Sequence, residues 1–336
     1  MRGDWPAATP FGRWIGFARR AGVLAVLAVG LAACDEAPEV PRPAEAGAAA
    51  RPVVGLVMKT LTNPFFAEME QGARRAAESL GAELVVRTAA QETSIEQQIA
   101  IVDEMIRTDV DAIVIAPGDS GRLIPVLKKA QEHGVVVVNV DNELDPQLAA
   151  SFGLAPIPFV SVDNAEGADK AAAALVAAAA PGQLDALIVE GIRDAANSEA
   201  RRQGARRAFT ASGRVEVVAS EPANWKIDEA RAVAEAAFRA FPDIDIVFAA
   251  NDMMALGVIE YLRTAGRDRV LVAGYDDLAE ARRAIREGRL VATVDQSAAG
   301  QGALGVEIAL KALKGEPVPR RTMLATVLVD RATLGP

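Results

Sequence analysis

The chain has 336 residues, of which 51% are hydrophobic, and a formal net charge of −9. A chain of this length buries a sizeable core, and because domains usually hold about 100 to 200 residues, we expect two lobes rather than one small module. The acidic balance argues against nucleic acid as a partner, since nucleic acids recruit basic surfaces.

The N-terminal segment is typical of an export signal. Arg19 and Arg20 precede an apolar run, 21–31, that is followed by Ala32, Ala33 and Cys34. The run is too short for a bilayer, which needs about 20 apolar residues. Leu31-Ala32-Ala33-Cys34 resembles a lipobox, which implies cleavage before Cys34 and a lipid on its sulfur. A plain secretory signal and an uncleaved anchor are the alternatives; all three place the rest of the chain outside the cytoplasm.

Cys34 is the only cysteine, so no disulfide can form within the chain. The stretch that follows it, to residue 51, is rich in Pro, Ala and Glu without apolar periodicity, which predicts a solvated tether. Asp35 after the cysteine resembles an inner-membrane retention signal. That resemblance implies a periplasmic protein anchored by lipid to the outer face of the inner membrane.

Beyond residue 51, short β-branched runs alternate with longer amphipathic segments, which indicates βαβ units with parallel sheets. Continuous hydrophobicity, as in 135–138, predicts strands covered by helices on both faces. We therefore expect a three-layer α/β arrangement, present twice, with helices starting near Asn63, Ser94 and Ser120. The predicted strands are 53–58, 83–87, 112–115 and 135–140, then 184–189, 215–219, 244–249, 270–273 and 291–294.

Polar and aromatic residues follow several of these strands, at the sheet edge where α/β proteins bind ligands. They are Asn63, Phe65, Phe66, Asp141, Asn142, Asn251, Asp252, Asp276 and Gln296. Planar Asp, Asn, Gln and Arg groups can bond pairs of neighbouring hydroxyls while aromatic faces pack on sugar rings, so the set predicts a sugar site.

Each member also has a structural interpretation. Asp252 fits equally well as a helix N-cap and is therefore not counted among the ten predicted ligand-binding residues. Asp141 and Asn142 also fit as turn formers, and Phe65 and Phe66 as core residues. The joint pattern carries the prediction.

Three segments resemble the ribose-binding-protein-like periplasmic receptors. They are Asn63-Pro64-Phe65-Phe66, the run from Val247 to Gly257, and Ala273-Gly274-Tyr275-Asp276. The resemblance spans about 52–334 and implies two doubly wound α/β/α lobes of the periplasmic-binding-protein type, joined by a three-crossover hinge. It also implies that Asn63, Asp141, Arg201, Asn251, Asp276 and Gln296 hydrogen-bond a sugar while Phe65, Phe66 and Trp225 stack on it. The neighbouring Arg202 is the alternative to Arg201.

Two positions bear on the ligand. Trp225 stands where the ribose receptor has a phenylalanine, which favours a larger ligand such as a hexose or polyol. Asn142 stands where that receptor has an arginine, which argues against ribose. We expect a non-enzymatic, monomeric receptor for a monosaccharide or small polyol that closes around its ligand and serves an ABC permease in the inner membrane, without cofactor or metal. Delivery of a sugar or autoinducer-like signal to a membrane sensor is the alternative function.

The resemblance also implies domain boundaries, because the family's chain crosses between lobes three times. We place the crossings near Val162, Gln296 and Thr326. The boundaries are 1–33 for the signal peptide, 34–51 for the lipidated cysteine and tether, 52–162 plus 297–325 for the N-terminal lobe, and 163–296 plus 326–334 for the C-terminal lobe. The connection 143–158 is longer than its family counterpart.

Other classes of protein fit less well. The G-x-G-x-x-G pattern at 300–305 lacks the acidic residue that should end the next strand of a dinucleotide site. His133 is the only histidine and falls at a predicted helix C-terminus, which leaves no Ser-His-Asp set or His/Cys metal cluster. Sugar-responsive repressors share these lobes but begin with a helix-turn-helix instead of an export signal.

Overall fold

The computed structural model describes residues 51–335, so the predicted signal peptide, Cys34 and most of the tether lie outside the described residues. These residues fold into two lobes, each built on a six-stranded sheet. The strands are β1 (Val53–Met58), β2 (Glu83–Thr88), β3 (Ala112–Ile115), β4 (Val136–Val140), β5 (Phe159–Val162), β6 (Leu184–Glu190), β7 (Val215–Pro222), β8 (Ile244–Ala249), β9 (Leu271–Ala273), β10 (Ala292–Asp295), β11 (Arg321–Leu324) and β12 (Val327–Asp330).

Helices alternate with the strands, as the sequence pattern predicts. They are α1 (Pro64–Leu80), α2 (Ile95–Arg107), α3 (Ile124–Glu132), α4 (Pro146–Ser151), α5 (Asn164–Ala178), α6 (Ala196–Ser212), α7 (Ile227–Ala240), α8 (Asp252–Thr264), α9 (Ala279–Arg286), α10 (Ala298–Leu313) and α11 (Arg331–Leu334). None of these helices combines the length and apolar character needed to cross a membrane.

The N-terminal lobe has the strand order β11-β5-β4-β3-β1-β2, all parallel. Neighbouring strand residues bury their side chains on opposite faces: Leu56 belongs to the core under α1 and α10, whereas Val57 belongs to the core under α2 and α3. Covering a parallel sheet on both faces explains its continuous apolar strands. The two predicted layers of helices are therefore confirmed.

The C-terminal lobe repeats this plan with the order β12-β10-β9-β8-β6-β7. Helices α5 and α6 pack together on one side, and α7 and α8 pack together on the other. Only β12, at the edge, runs antiparallel to its neighbour β10. The predicted arrangement of two α/β lobes is confirmed.

The chain passes between the two sheets three times. The passages lie at Asp163 between β5 and α5, at 296–297 between β10 and α10, and at 325–326 between β11 and β12. As a result α10 packs on α1 and on the strands of the N-terminal lobe, although it follows a strand of the C-terminal lobe.

Glycines explain how closely α1 and α10 approach each other. A Cβ on Gly302 would lie 2.1 Å from the Met69 carbonyl oxygen, and one on Gly72 would lie 1.9 Å from the Ala299 carbonyl oxygen. Real Cβ atoms do not tolerate such distances, so only glycine permits this packing. The G-x-G-x-x-G pattern thus has a packing role within α10.

Candidate functional site

A small cavity lies between the lobes, at the carboxyl ends of their strands. Its volume is about 20 Å³, room for about one water molecule. Both lobes contribute to it, and nine of the ten predicted ligand-binding residues line it, together with three that were not predicted. The lining residues are Lys59, Asn63, Phe65, Phe66, Glu92, Asp141, Asn197, Arg201, Trp225, Asn251, Asp276 and Gln296.

A buried ion pair forms one wall on the N-terminal lobe. Lys59, directly after β1, places Nζ 2.7 Å from Oδ2 of Asp141, directly after β4; their side chains are only 2% and 3% exposed. Asp141 Oδ1 accepts a hydrogen bond of 3.3 Å from Nδ2 of Asn197, on the C-terminal lobe. Nζ of Lys59 also lies 5.6 Å from the centre of the Phe66 ring, within cation–π range.

The start of α1 supplies the amide and the aromatic rings of the same lobe. Asn63 caps this helix, because its Oδ1 accepts from the Phe65 backbone N–H, and its Nδ2 donates to Oε1 of Glu92 at 3.1 Å. Phe65 and Phe66 meet edge to face with ring centres 5.0 Å apart. Pro64 at the first helical position favours the start of α1 here, because an N–H at that position would have no partner within the helix.

Arg201 organises the C-terminal wall. Its guanidinium donates to Asn164 Oδ1, to the Ala250 carbonyl oxygen and to Gln296 Oε1 at 2.9, 2.8 and 3.1 Å. It also lies 3.5 Å from Asp276 Oδ1. The neighbouring Arg202 is instead bound to Glu199, so Arg201 is the arginine that reaches the cavity.

Two aromatic rings frame this guanidinium. Its central carbon lies 3.8 Å from the ring centre of Tyr275 and 5.5 Å from that of Trp225. The Trp225 indole in turn lies over Gly191, where a Cβ would come within 2.1 Å of the ring. Gly191 therefore makes room for the large Trp225 side chain.

Asn251 and Asp252 have different structural roles, which the sequence did not distinguish. Asn251, not Asp252, caps α8, because its Oδ1 accepts from the Met254 N–H at 2.9 Å. Asp252 lies inside the lobe, accepting from Thr293 Oγ1 and the Leu278 N–H. Burial raises the pKa of Asp252 to about 7, since it penalises the charged form.

Burial also raises the pKa of carboxyl groups that line the cavity. It raises the pKa of Glu92 to about 7, against the opposing effects of the Lys59 charge and the Asn63 hydrogen bond. The pKa of Asp276 is likewise raised, chiefly by burial, although the Arg201 charge lowers it. Gln296 Nε2 donates to Asp276 Oδ1 at 2.6 Å. Perturbed carboxyls in a cleft are typical of binding and active sites.

Backbone strain concentrates around the cavity. Asp141, Trp225 and Asp276 have φ angles of 65°, 67° and 128°, in the region that favours glycine. Such conformations cost about 1 to 3 kcal/mol each and persist where function requires a particular side-chain direction. Here they direct a carboxylate of each lobe and the indole toward one cavity.

Asn142 is the predicted ligand-binding residue that the cavity does not include. Its Nδ2 donates to the Pro117 carbonyl oxygen and to Ser120 Oγ, each at 3.2 Å, and its Oδ1 accepts from the Asn197 N–H at 3.1 Å. All its hydrogen-bonding groups are thus engaged by protein. Asn142 joins the two lobes instead of facing the cavity.

Asn142 belongs to a row of direct bonds between the lobes, which we call the latch. Ser120 accepts from the Ala196 N–H through its Oγ at 3.0 Å and donates its own N–H to the Asp194 carbonyl oxygen at 3.0 Å. The Asn197 bonds to Asp141 and Asn142 complete the latch. These contacts describe a closed arrangement of the lobes.

Lys59, Glu92 and Asn197 line the cavity but were not predicted. Lys59 directly follows β1 and Glu92 lies four residues beyond β2, so both satisfy the strand-end rule that identified the others. Asn197 precedes Arg201 by four residues on α6, which places both on one face of the helix. This helical spacing was the available signal for Asn197.

Comparisons with known proteins identify the family of the chain. Residues 54–317 match the model of the periplasmic binding protein domain, and the chain belongs to that family. Membership of this family implies a periplasmic location.

Particular relatives are also similar along most of their length. The chain is 40% identical over 269 residues to the D-ribose/D-allose-binding protein of Pseudomonas aeruginosa, covering 79% of this chain and 83% of the relative. It is 32% identical to the D-allose-binding periplasmic protein of Escherichia coli, covering 82% and 89%. A periplasmic solute-binding protein of an ABC transporter from Actinobacillus succinogenes, solved with bound D-allose, superposes with a TM-score of 0.80 at 36% identity, covering 84% and 99%.

Proposed function

We propose that this protein is the sugar-binding receptor of an ABC importer and that it encloses one neutral monosaccharide between its lobes. The observation that carries the proposal is the cavity at the strand ends, where amides, carboxyls and a guanidinium of both lobes converge between aromatic rings. Sugar hydroxyls both donate and accept, so they match this mixture of groups. The relatives that bind ribose and allose make D-allose and D-ribose the first candidates.

The two aromatic sides would hold the faces of the ring. Phe65 and Phe66 line the cavity from the N-terminal lobe and Trp225 lines it from the C-terminal lobe. Aromatic faces pack well on the C–H faces of a pyranose, while the polar groups bond its edge. The indole favours a hexose over a pentose because it offers the larger platform.

Hinge closure is the mechanism that we infer. Each lobe holds only part of the lining, so the full set of hydrogen bonds forms only when the lobes are together. A sugar that binds the closed arrangement better than the open one shifts the population toward it. The closed shape is then what the permease recognises, and the protein leaves its ligand chemically unchanged.

Membrane attachment is a further part of the proposal. Cys34 follows a lipobox-like segment and Asp35 follows Cys34, so we propose a lipid anchor on the outer face of the inner membrane. The test compares the wild type with Cys34→Ala after osmotic lysis. Membrane-bound wild type with a lipid mass increment supports the anchor, and soluble wild type without that increment contradicts it.

A fluorescence titration tests ligand binding. Two of the three tryptophans, Trp5 and Trp14, lie in the predicted signal peptide, so Trp225 is the reporter of the cavity. We expect saturable changes with D-allose or D-ribose and smaller or no changes with other pentoses, hexoses, polyols and nucleosides. Trp225→Phe should remove the signal, with calorimetry reporting whether binding remains. No response to any sugar, by emission or calorimetry, contradicts the proposed function.

A further inference from the structure

Glu92 lines the cavity, but the proposed mechanism gives it no individual role. It lies in the loop between β2 and α2, is buried, and lines the cavity. Its Oε1 accepts from Asn63 Nδ2, and within residues 51–335 this is the only hydrogen bond that its side chain makes. Oε2 therefore remains available to a ligand.

Charged groups reach Glu92 from both lobes. Lys59 after β1 and Arg201 on α6 favour its ionised form, whereas Asp141 after β4 opposes it. Asp276, after β9, also interacts with Glu92. Burial outweighs these effects together with the Asn63 hydrogen bond, and it raises the pKa of Glu92 to about 7 from an ordinary value near 4.5.

The burial of Glu92 depends on the position of the lobes. The cavity is closed by Arg201, Trp225 and Asp276 of the C-terminal lobe, so separating the lobes exposes Glu92 to water. A water-exposed glutamate has a pKa near its ordinary value. Closing the lobes at a pH between these two values therefore favours the neutral acid.

We propose that Glu92 contacts the sugar directly and takes up one proton from solvent when the lobes close around it. The proton adds to the carboxylate at Oε2, and the resulting O–H donates to a ring or hydroxyl oxygen of the sugar. The inference rests on the proposed function, since it requires a sugar in this cavity. It makes sugar affinity dependent on pH.

The direction of this dependence follows from the pKa shift. The closed form has the higher pKa, so protonation stabilises it, and the stabilisation is lost as pH rises through about 7. Between pH 6 and pH 8 the Kd should increase about tenfold, because the proton uptake falls from almost one at pH 6 to almost none at pH 8 and so averages about half a proton over the two pH units.

Isothermal titration calorimetry tests the proposal on the purified protein. The sugar that gives the fluorescence response is titrated at pH 6, 7 and 8, each in two buffers of different ionisation enthalpy, which yields the number of protons taken up. We expect net uptake at pH 6 and almost none at pH 8. Glu92→Gln keeps the shape and an oxygen for Asn63 but cannot ionise, so its Kd should be independent of pH.

A control and the contrary outcomes complete the test. Glu96→Gln changes an exposed glutamate of the same lobe that pairs with Arg122, and it should retain the wild-type pH profile and proton uptake. Equal Kd at pH 6 and 8 for the wild type overturns the inference alone. Uptake that persists in Glu92→Gln also overturns it, because the proton then resides elsewhere, as on Asp276. Absence of binding to any sugar overturns the proposed function as well.

Discussion

The two lobes build their halves of the cavity differently. On the C-terminal lobe, Arg201 is fixed by Asn164, Ala250, Asp276 and Gln296 before any ligand contact is considered. On the N-terminal lobe the polar groups form two pairs, Lys59 with Asp141 and Asn63 with Glu92, and no hydrogen bond among the described residues joins one pair to the other. Since networks resist rearrangement more than single pairs, the C-terminal lobe acts as the rigid template and the N-terminal lobe as the adaptable half.

Arg201→Ala should have the largest effect. It removes a buried cation and leaves Asp276 without its charge partner, so we expect the free energy of unfolding to fall by about 3 kcal/mol. Sugar binding should fall at least about 1000-fold, or roughly 4 kcal/mol. Denaturant unfolding and calorimetry measure the two losses. Arg201→Lys is the control, because it keeps the charge but loses the forked guanidinium that bonds several partners. Wild-type sugar affinity in this variant would contradict the role of Arg201 in fixing the C-terminal wall.

Lys59→Met on the adaptable half should weaken binding without comparable loss of stability. In the open form water can solvate Asp141, so we expect about 1 kcal/mol less stability but about 100-fold higher Kd, as for one charged hydrogen bond. Chemical denaturation and calorimetry are again the measurements. A loss of stability equal to that of Arg201→Ala would remove the distinction between the lobes.

Ser120→Ala tests the latch, which joins the lobes outside the cavity. It removes the acceptor of the Ala196 N–H, so we expect Kd to rise about three- to tenfold with little change in unfolding midpoint. Small-angle scattering should show a more open ligand-free ensemble. Ser151→Ala on the same lobe is the matched control, since within residues 51–335 its hydroxyl bonds only the Leu148 carbonyl oxygen. Equal effects of both variants would contradict the latch.

The smallest effects on stability and sugar binding are expected for exposed ion pairs. Arg122→Gln on the N-terminal lobe and Arg239→Gln on the C-terminal lobe each break a pair with a glutamate in water. Both should change the free energy of unfolding by about 0.5 kcal/mol or less and leave Kd unchanged. A larger change in either variant would show that surface charges, rather than the cavity groups, distinguish the lobes.

The sequence pattern missed β5, β11 and β12, which have four residues each. β3 is a continuous apolar run and β8 is interrupted only by Asp245, and both were predicted with correct ends. β11 and β12 lie at sheet edges and include polar residues, so their short sequences resemble those of loops. β5 is buried but equally short, and it follows a proline-containing connection.

For the site, strand-end position was informative but side-chain direction was not. Asp141 and Asn142 are adjacent and equally polar, yet of the two only Asp141 lines the cavity, and its backbone has a left-handed φ of 65°. Sequence patterns do not reveal such a backbone angle. The same limit applies to Asn251 and Asp252. Asn251 caps α8, whereas Asp252 accepts a hydrogen bond from Thr293, which lies 41 residues away in the sequence.

The order in which the chain is made constrains how it folds. Because α10 covers α1, and β11 completes the first sheet, the N-terminal lobe lacks part of its core until residues 298–324 are available. The C-terminal lobe likewise lacks its edge strand until β12 is present. Neither lobe can therefore finish folding as an independent unit during synthesis, and a chain truncated near residue 296 leaves the apolar face of α1 uncovered and prone to aggregate.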